Sequence, residues 1–245
     1  MNKNNLLKFI QKYSLGGLIE SVAWNAEGTQ LSVRFISDDK TLLGEVDFNA
    51  FTSKPFNVGI YTTSLLKNMI GVLDNDIALK VDKAGDKAVT LKLSSDDTET
   101  SYQLADLGVI PPVPDLKQLP EFGIEIDMTS QMVDRFIKAK GALSDVDTFT
   151  VYTENSDLKL AIGYSSISTN RVTFTAQKDF TGDVKPISFS SKYLKEILTA
   201  NKEATNAKLK VSVDGLAHVE FQIDDFVCKY YFCLLYTSDA ADDTP

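Results

Sequence analysis

An internal repeat is the feature of this 245-residue sequence that most constrains its fold. Residues 60–81 read IYTTSLLKNMIGVLDNDIALKV, and residues 187–211 read ISFSSKYLKEILTANKEATNAKLKV. Both segments predict a strand end, a helix cap, an amphipathic helix and a second strand. The helical stretches align Leu66 with Leu194 and Ile70 with Leu198. A chain that uses one pattern twice is expected to fold as two similar domains.

Local signals mark the ends of these elements in both halves. The hydroxyl that caps the helix is expected from Thr62 or Thr63 in the first half and from Ser190 or Ser191 in the second. Two alternating strands follow each helix, and turns at residues 84–86 and 214–215 join them into hairpins.

An earlier helix is predicted in each half, at residues 4–13 and 130–140, with further strands after it. Each half therefore reads helix, strands, helix, strands, and the fold class is α+β with duplicated domains and antiparallel sheets. Helical spacing predicts that the apolar residues of these two helices are buried, namely Leu6, Ile10, Tyr13, Met132, Val133, Phe136 and Ile137.

A proline-rich segment separates the halves. Residues 108–120 read GVIPPVPDLKQLP and hold four prolines, which favour an extended and semi-rigid connector. The predicted organisation is a first domain at residues 1–107, this connector at 108–120, and a second domain at 121–232.

The sequence changes character after residue 232. Residues 233–245 read CLLYTSDAADDTP, continue no periodic pattern and closely resemble a translated sequencing-library adapter. We expect them to be a non-native tail, which is left out of fold arguments. Without its three aspartates the chain has 25 basic and 31 acidic residues, so the net charge of −9 becomes −6.

A net negative charge argues against a generally basic nucleic-acid binder, but the charges are unevenly distributed. The polar faces of the four predicted helices carry more basic than acidic residues, whereas most carboxylates lie on loops and strands. These helices can therefore present positive charge to phosphates without reading bases. The basic residues are Lys8, Lys12, Lys67, Arg135, Lys138, Lys140, Lys192, Lys195 and Lys202.

The chain resembles the DNA polymerase sliding clamps of T-even-type bacteriophages, and more distantly proliferating cell nuclear antigen and the bacterial beta clamp. The segments that carry the resemblance are residues 46–76, the proline connector, residues 185–215 and the closing stretch HVEFQIDDFVCKYYF at 218–232. It covers essentially residues 1–232.

This resemblance implies a processivity factor: a ring whose helices line the hole and whose sheets lie outside. Such rings contain six domains, so a two-domain chain implies a homotrimer, with neighbouring copies joined by strand pairing. The nine helix cations would face encircled duplex DNA and provide a diffuse track for sliding. The implied partners are duplex DNA, a DNA polymerase, a clamp loader and further copies of the chain.

Partner proteins of this family dock by short peptides, and the resemblance places their groove beneath the connector. Apolar residues in a proline-rich segment suit such a groove, although they equally suit a role in pinning the connector to a sheet. The residues expected at the groove are Leu42, Leu43, Val109, Ile110, Val113, Leu116, Tyr231 and Phe232.

The runner-up is a phage structural or assembly protein built from the same α+β domains, and an enzyme is disfavoured. The single histidine, His218, lies in an alternating strand where a structural role is expected, and no catalytic or phosphate-loop motif appears. Two cysteines, Cys228 and Cys233, suggest neither a disulfide framework nor a metal site, and no cofactor is expected. No signal peptide or membrane span is apparent, so the expected location is the cytoplasm of an infected bacterial cell.

Overall fold

The computed structural model describes residues 1–116, 118–165, 167, 169–205 and 207–235. The chain divides into two compact units. The first comprises Met1–Ser37, Leu43–Asp115 and Gln222–Lys229, and the second comprises Asp38–Leu42, Leu116–Phe221 and the residues from Tyr230 onward. The domain boundaries drawn from the sequence remain predictions.

The first half of the chain alternates helices with antiparallel strands. Its elements are α1 Lys3–Ser14, β1 Val22–Glu27, β2 Gln30–Ile36, β3 Leu42–Phe48, β4 Phe56–Ile60, α2 Thr63–Gly71, β5 Ala78–Ala84, β6 Lys87–Ser95 and β7 Thr98–Gln103.

The second half repeats this order with an added first strand. Its elements are β8 Ile124–Asp127, α3 Ser130–Ala142, β9 Thr148–Glu154, β10 Asp157–Ile162, β11 Val172–Gln177, β12 Ile187–Ser190, α4 Ser191–Ala200, β13 Lys208–Val211, β14 Leu216–Ile223 and β15 Phe226–Cys233.

Each unit contributes strands to two sheets and contains one pair of helices. In the first unit the strand orders are β4-β1-β2-β3, followed by the beginning of β15, and β5-β6-β7. In the second unit they are β11-β10-β9-β12 and β15-β14-β13-β8. Helix α1 contacts α2, and helix α3 contacts α4. The four predicted helices and the predicted hairpins are confirmed, with small shifts at their ends.

An aromatic cluster forms the core of the first unit. The predicted apolar stripe of α1 is confirmed, because Leu6, Ile10 and Tyr13 are fully buried, and Phe9 joins them. The ring of Phe9 packs edge-on against Trp24 of β1, with 5.7 Å between ring centroids. Alternating residues of β1 and β2 complete this core, as expected for strands with one buried face.

The core of the second unit centres on Phe136 of α3 and Phe149 of β9, whose rings lie edge-on at 5.9 Å. The sequence prediction for α3 was partly wrong, since Met132, Val133 and Ile137 are only half-buried. The helix instead turns Phe136, Ala139 and Lys140 inward. A three-residue stripe suffices here because α4 supplies several more buried apolar residues, including Leu194 and Ile197.

The last described residues pair with the second unit. Cys233 ends β15 and donates its backbone N–H to Thr41 O at 2.8 Å. The backbone N–H of Leu234 donates to Gly215 O at 2.8 Å. Residues 236–245 of the expected tail lie outside the described residues.

Candidate nucleic-acid interface

Each helix pair exposes basic side chains. Lys8 on α1 and Lys67 on α2 are exposed in the first unit. Arg135 and Lys138 on α3 and Lys192 on α4 are exposed in the second unit. No carboxylate lies within ion-pair distance of these five side chains in the part of the chain that the structure describes. Their charges are therefore available to an anionic ligand.

Sequence composition explains this positive character. Helices α1 and α2 contain no acidic residue, and none of the four helices has one in its first turn. The acidic residues within the helices are Asp134 on α3 and Glu196 on α4. The helix faces therefore keep positive charge in a chain whose total charge is negative.

Several cations on the sheets are instead paired with neighbouring carboxylates. The ammonium groups of Lys80 and Lys92 lie 2.7 and 3.1 Å from the carboxylate of Asp82. Hydrogen bonds from these lysines hold the pKa of Asp82 below its usual range. The pKa is lowered in the same way for Asp106 beside Lys87, Glu125 beside Lys208 and Asp157 beside Lys159.

Two of the nine predicted DNA-facing residues are buried, and the prediction for them is wrong. Lys12 is 1% exposed, and its ammonium lies over the ring of Phe226, 5.4 Å from the centroid. Lys140 is 6% exposed, and its Nζ donates to Leu143 O at 3.4 Å and to Ser144 O at 2.7 Å. It therefore satisfies carbonyls at the C-terminal end of α3.

The remaining two residues of the predicted set differ from the exposed five. Lys195 is half-exposed and lies 3.1 Å from the carboxylate of the adjacent Glu196, which partly offsets its charge. Lys202 is exposed but follows the end of α4, in a turn.

The connector is fixed to the first unit by polar contacts that sequence reasoning missed. The Arg34 guanidinium donates to Asp115 Oδ1 at 2.8 Å and to Pro114 O at 2.9 Å. The sequence signal for these contacts was Arg34 itself, which faces outward on β2 between the buried Val33 and Phe35. Gly59 allows a close approach of the segment that leads into the connector, since a Cβ there would lie 2.8 Å from Ala105 O.

A groove lies under the connector in the first unit. It encloses about 430 Å³, and two residues of the predicted set, Ile110 and Val113, are among those that line it. Its other walls come from the connector, from Leu107 just before it, and from β1, β2 and β4; these residues are Ala23, Asn25, Ser32, Arg34, Asn57, Leu107, Pro111 and Pro112. Val109 and Leu116 are exposed side chains of the connector region.

The other four residues predicted for the groove are buried, and the prediction for them is wrong. Leu42 and Leu43 of β3 are core residues. Tyr231 stacks on His218 at 4.5 Å between ring centroids, and Phe232 packs edge-on against Phe149. Tyr231 and Phe232 are consecutive on β15, so they point to opposite faces of the sheet, and an aromatic or imidazole ring covers each of them.

Within the described ranges, no helix has the length and apolar character needed to cross a membrane. The same residues contain no group of three or more potential ligands placed to hold a metal ion.

Comparison of the structure with solved structures identifies the fold. Proliferating cell nuclear antigen (PCNA) from Entamoeba histolytica is 20% identical, with a TM-score of 0.69 over 96% of each chain. A structure of A. fulgidus PCNA bound to the C-terminal region of FEN-1 is 16% identical, with a TM-score of 0.71 over 97% of this chain and 98% of that chain.

A chain of the PCNA2–PCNA3 complex from Sulfolobus tokodaii is 10% identical, with a TM-score of 0.69 over 96% of this chain and 97% of that chain. No protein-family model and no curated protein matches the sequence. This chain therefore has the duplicated α+β fold of PCNA-type sliding clamps.

Proposed function

We propose that this protein is a sliding clamp that encircles duplex DNA and tethers a replicative DNA polymerase. The observation that carries the proposal is the clamp fold over nearly the whole chain, in which both helix pairs expose unpaired cations. In this proposal the protein is a scaffold and not an enzyme.

The helix cations act as a weak track in this mechanism. Lysine and arginine at the ends of long side chains attract phosphates without reading base edges. Retention comes from encirclement, so no single contact needs to be strong. Because tight phosphate contacts would resist sliding, a few dispersed charges suit a mobile clamp better than a dense basic patch.

The internal repeat supports the proposed homotrimer. In the first unit, β3 lies beside the beginning of β15. The equivalents of these strands in the repeat are β11 and β7, and each is the end strand of its own sheet among the described residues. Pairing β11 of one copy with β7 of the next would repeat the β3–β15 contact between chains. Three copies would supply the six domains that the sequence resemblance implies.

The proposed protein partners are the polymerase and a clamp loader, which would dock by short peptides. The groove of about 430 Å³ beneath the connector is the proposed docking site, with Ile110 and Val113 as apolar contacts. The A. fulgidus PCNA structure, which holds the C-terminal region of FEN-1, supports a peptide-binding role for this fold. The proposed source is a T-even-type bacteriophage, and the proposed location is the cytoplasm of its bacterial host.

Threading onto end-blocked DNA tests encirclement without a loader. A linear duplex is attached to a bead at one end, the protein is allowed to thread over the free end, and that end is then blocked with streptavidin. After a high-salt wash, we expect the protein to remain on the doubly blocked DNA. Restriction cleavage near the streptavidin should release it.

The matched control is the same DNA without the second block, from which a ring slides off. Loss from both DNAs at the same rate would show binding without encirclement and would contradict the proposal. Light scattering should also give three times the chain mass of 27.0 kDa.

A further inference from the structure

Strand β5 forms one edge of its sheet. Among the described residues, backbone pairing along this edge reaches only the residues that immediately precede the strand. The N-terminal ammonium of Met1 donates to Ile77 O at 2.7 Å, and Ile77 N–H donates to Met1 O at 2.9 Å. From Ala78 onward, no strand of the described residues lies beside β5 on this side. The regular edge runs to Asp82, where a bulge interrupts the pairing of β5 with β6.

The second unit shows what occupies the equivalent edge there. Strand β8 pairs antiparallel with β13, which places Ile126 opposite Leu209 and Ile124 opposite Val211. The N–H of Met128 donates to Ala207 O at 2.8 Å, as Met1 does to Ile77. Met1 and Ile77 of the first unit therefore correspond to Met128 and Ala207 of the second.

The same three residues, Leu-Lys-Val, have different exposure in the two units. In β13, Leu209 and Val211 are 0% exposed because β8 covers them. In β5, Leu79 and Val81 are only half-buried. They line a groove of about 670 Å³ together with Phe51, Phe56 and Ile77, among other residues. The first unit thus has an apolar groove where the second has a strand.

The charged residues around this edge indicate which kind of strand would bind to β5. In the second unit, Glu125 of β8 lies 2.7 Å from Lys208 Nζ and 3.7 Å from Lys210 Nζ. The groove in the first unit is lined by three lysines, Lys54, Lys80 and Lys83. Lys80 is also paired with Asp82, 2.7 Å away, so Lys54 and Lys83 supply most of the positive charge. The sequence of β8, Ile-Glu-Ile-Asp, alternates apolar residues that face the core with acidic residues that face outward.

We propose that the edge of β5 binds an extended peptide segment of a partner protein in which apolar and acidic residues alternate. The segment adds as a strand antiparallel to β5, with its apolar side chains over Leu79 and Val81 and its C-terminal end toward Met1. The regular edge of β5 accommodates about four or five residues. Lysines on the edge disfavour pairing with neutral or basic strands, and they select an acidic one.

A peptide copied from the chain itself is a suitable probe. Residues 123–128, Gly-Ile-Glu-Ile-Asp-Met, are synthesised with a fluorophore, and binding to the full chain is followed by fluorescence anisotropy. We expect saturable binding. A peptide with Gln and Asn in place of Glu and Asp should bind about tenfold more weakly, because it lacks the charges opposite the lysines.

Substitutions locate the site. Lys80→Glu places a like charge opposite the peptide and should weaken binding at least tenfold. Val81→Asp removes an apolar contact and should do the same. Lys185→Glu, at an exposed lysine of the second unit, is the matched control and should leave binding unchanged. Circular dichroism establishes that each variant is folded.

The decisive experiment measures peptide binding to a chain that is extended by Ile-Glu-Ile-Asp in front of Met1. The added residues continue into the position that β8 occupies in the second unit, so they should fill the groove and abolish peptide binding. Unchanged binding to this chain, or to Lys80→Glu, would overturn the proposal. A fall in oligomeric mass with Lys80→Glu would also overturn it, because a second copy would then occupy the edge.

Discussion

At the scale of single residues, a buried hydrogen-bond chain orders the first unit. Trp24 Nε1 donates to the hydroxyl of Tyr13 at 3.1 Å. Thr63 Oγ1 donates its proton to Glu20 O at 2.8 Å, so the Tyr13 hydroxyl must donate to Thr63 Oγ1, 3.2 Å away. Every proton in this chain thus has a defined acceptor. Burial raises the pKa of Tyr13 above its ordinary value of 10.0.

We expect Tyr13→Phe to lower the free energy of unfolding by about 1–3 kcal/mol, because Trp24 and Thr63 lose a buried partner. Because the pKa of Tyr13 is raised in the folded state, the free energy of unfolding also depends on pH. The stability that Tyr13 contributes is fully present below pH 10.0, and it is lost as pH rises toward the folded-state pKa, since unfolding then releases a proton.

Urea unfolding followed by Trp24 fluorescence, at about pH 8 and about pH 11, measures both effects. The loss between these pH values should be smaller for Tyr13→Phe than for the unchanged chain. The exposed Tyr61→Phe is the control. An identical pH dependence in the unchanged chain and Tyr13→Phe would refute the role given to the Tyr13 hydroxyl.

Single residues also show where sequence reasoning about the interface failed. Helical spacing placed Lys12 and Lys140 on polar faces, yet both are buried. Lys12 is covered because Phe226, which is distant in the sequence, lies beneath its ammonium. Lys140 folds back onto carbonyls that follow its own helix. A helical pattern shows which side of a helix is polar, but not what another segment places against it.

At the scale of elements, the two repeated helices begin in different ways. The Ser190 hydroxyl accepts the N–H of Tyr193 at 3.3 Å, so α4 has the local cap that the sequence predicted. Thr62, at the start of α2, makes no such side-chain bond. The carboxylate of Glu20 instead accepts the N–H of Ser64 at 2.9 Å, and its charge also favours the helix N-terminus.

We expect Ser190→Ala and Glu20→Ala each to cost about 0.5–2 kcal/mol of unfolding free energy, because each leaves a helix N–H without its acceptor. Thr62→Ala should change it by less than about 0.5 kcal/mol. Urea unfolding of the three variants checks this. A cost for Thr62→Ala equal to that of Glu20→Ala would show that α2 is capped locally after all.

The elements themselves were predictable because their signals are local. The apolar stripe of α1, the Ser190 cap and the hairpin turns each depend on neighbouring residues. The Glu20 cap and the contacts of Arg34 with the connector join segments that are far apart in the sequence. The open edge of β5 was equally hidden, since it appears only when the two repeats are compared in three dimensions.

At the scale of the whole molecule, the exposed helix cations should set the salt dependence of DNA binding. Each phosphate contact that is lost lowers the slope of log K against log salt by about 0.9. A variant with alanine at all five positions should therefore bind duplex DNA with a shallower slope, as measured by anisotropy across a salt series. The positions are Lys8, Lys67, Arg135, Lys138 and Lys192.

Two hairpin lysines provide the control for this variant. Lys83 and Lys87 lie outside the helices, and Lys87 is already paired with Asp106. Replacing both with alanine should leave the slope unchanged. An equal loss of slope would show that DNA does not approach the helix faces.

The edge strands should control assembly. Ser101 on β7 and Thr173 on β11 are both exposed, and a lysine on an edge strand opposes strand pairing. We therefore expect Ser101→Lys or Thr173→Lys to lower the mass measured by light scattering below that of three chains. Ala78→Lys adds the same charge to the exposed edge of β5 and should leave the trimer intact.

Mixing the two edge variants distinguishes a head-to-tail ring from a symmetric contact. Each proposed junction uses β7 of one copy and β11 of the next. The Thr173→Lys chain keeps an unaltered β7, and the Ser101→Lys chain keeps an unaltered β11. The mixture should therefore form pairs of two chains that cannot close, although neither variant pairs alone. If β7 instead paired with β7 of a second copy, Thr173→Lys would pair with itself, and mixing would add nothing.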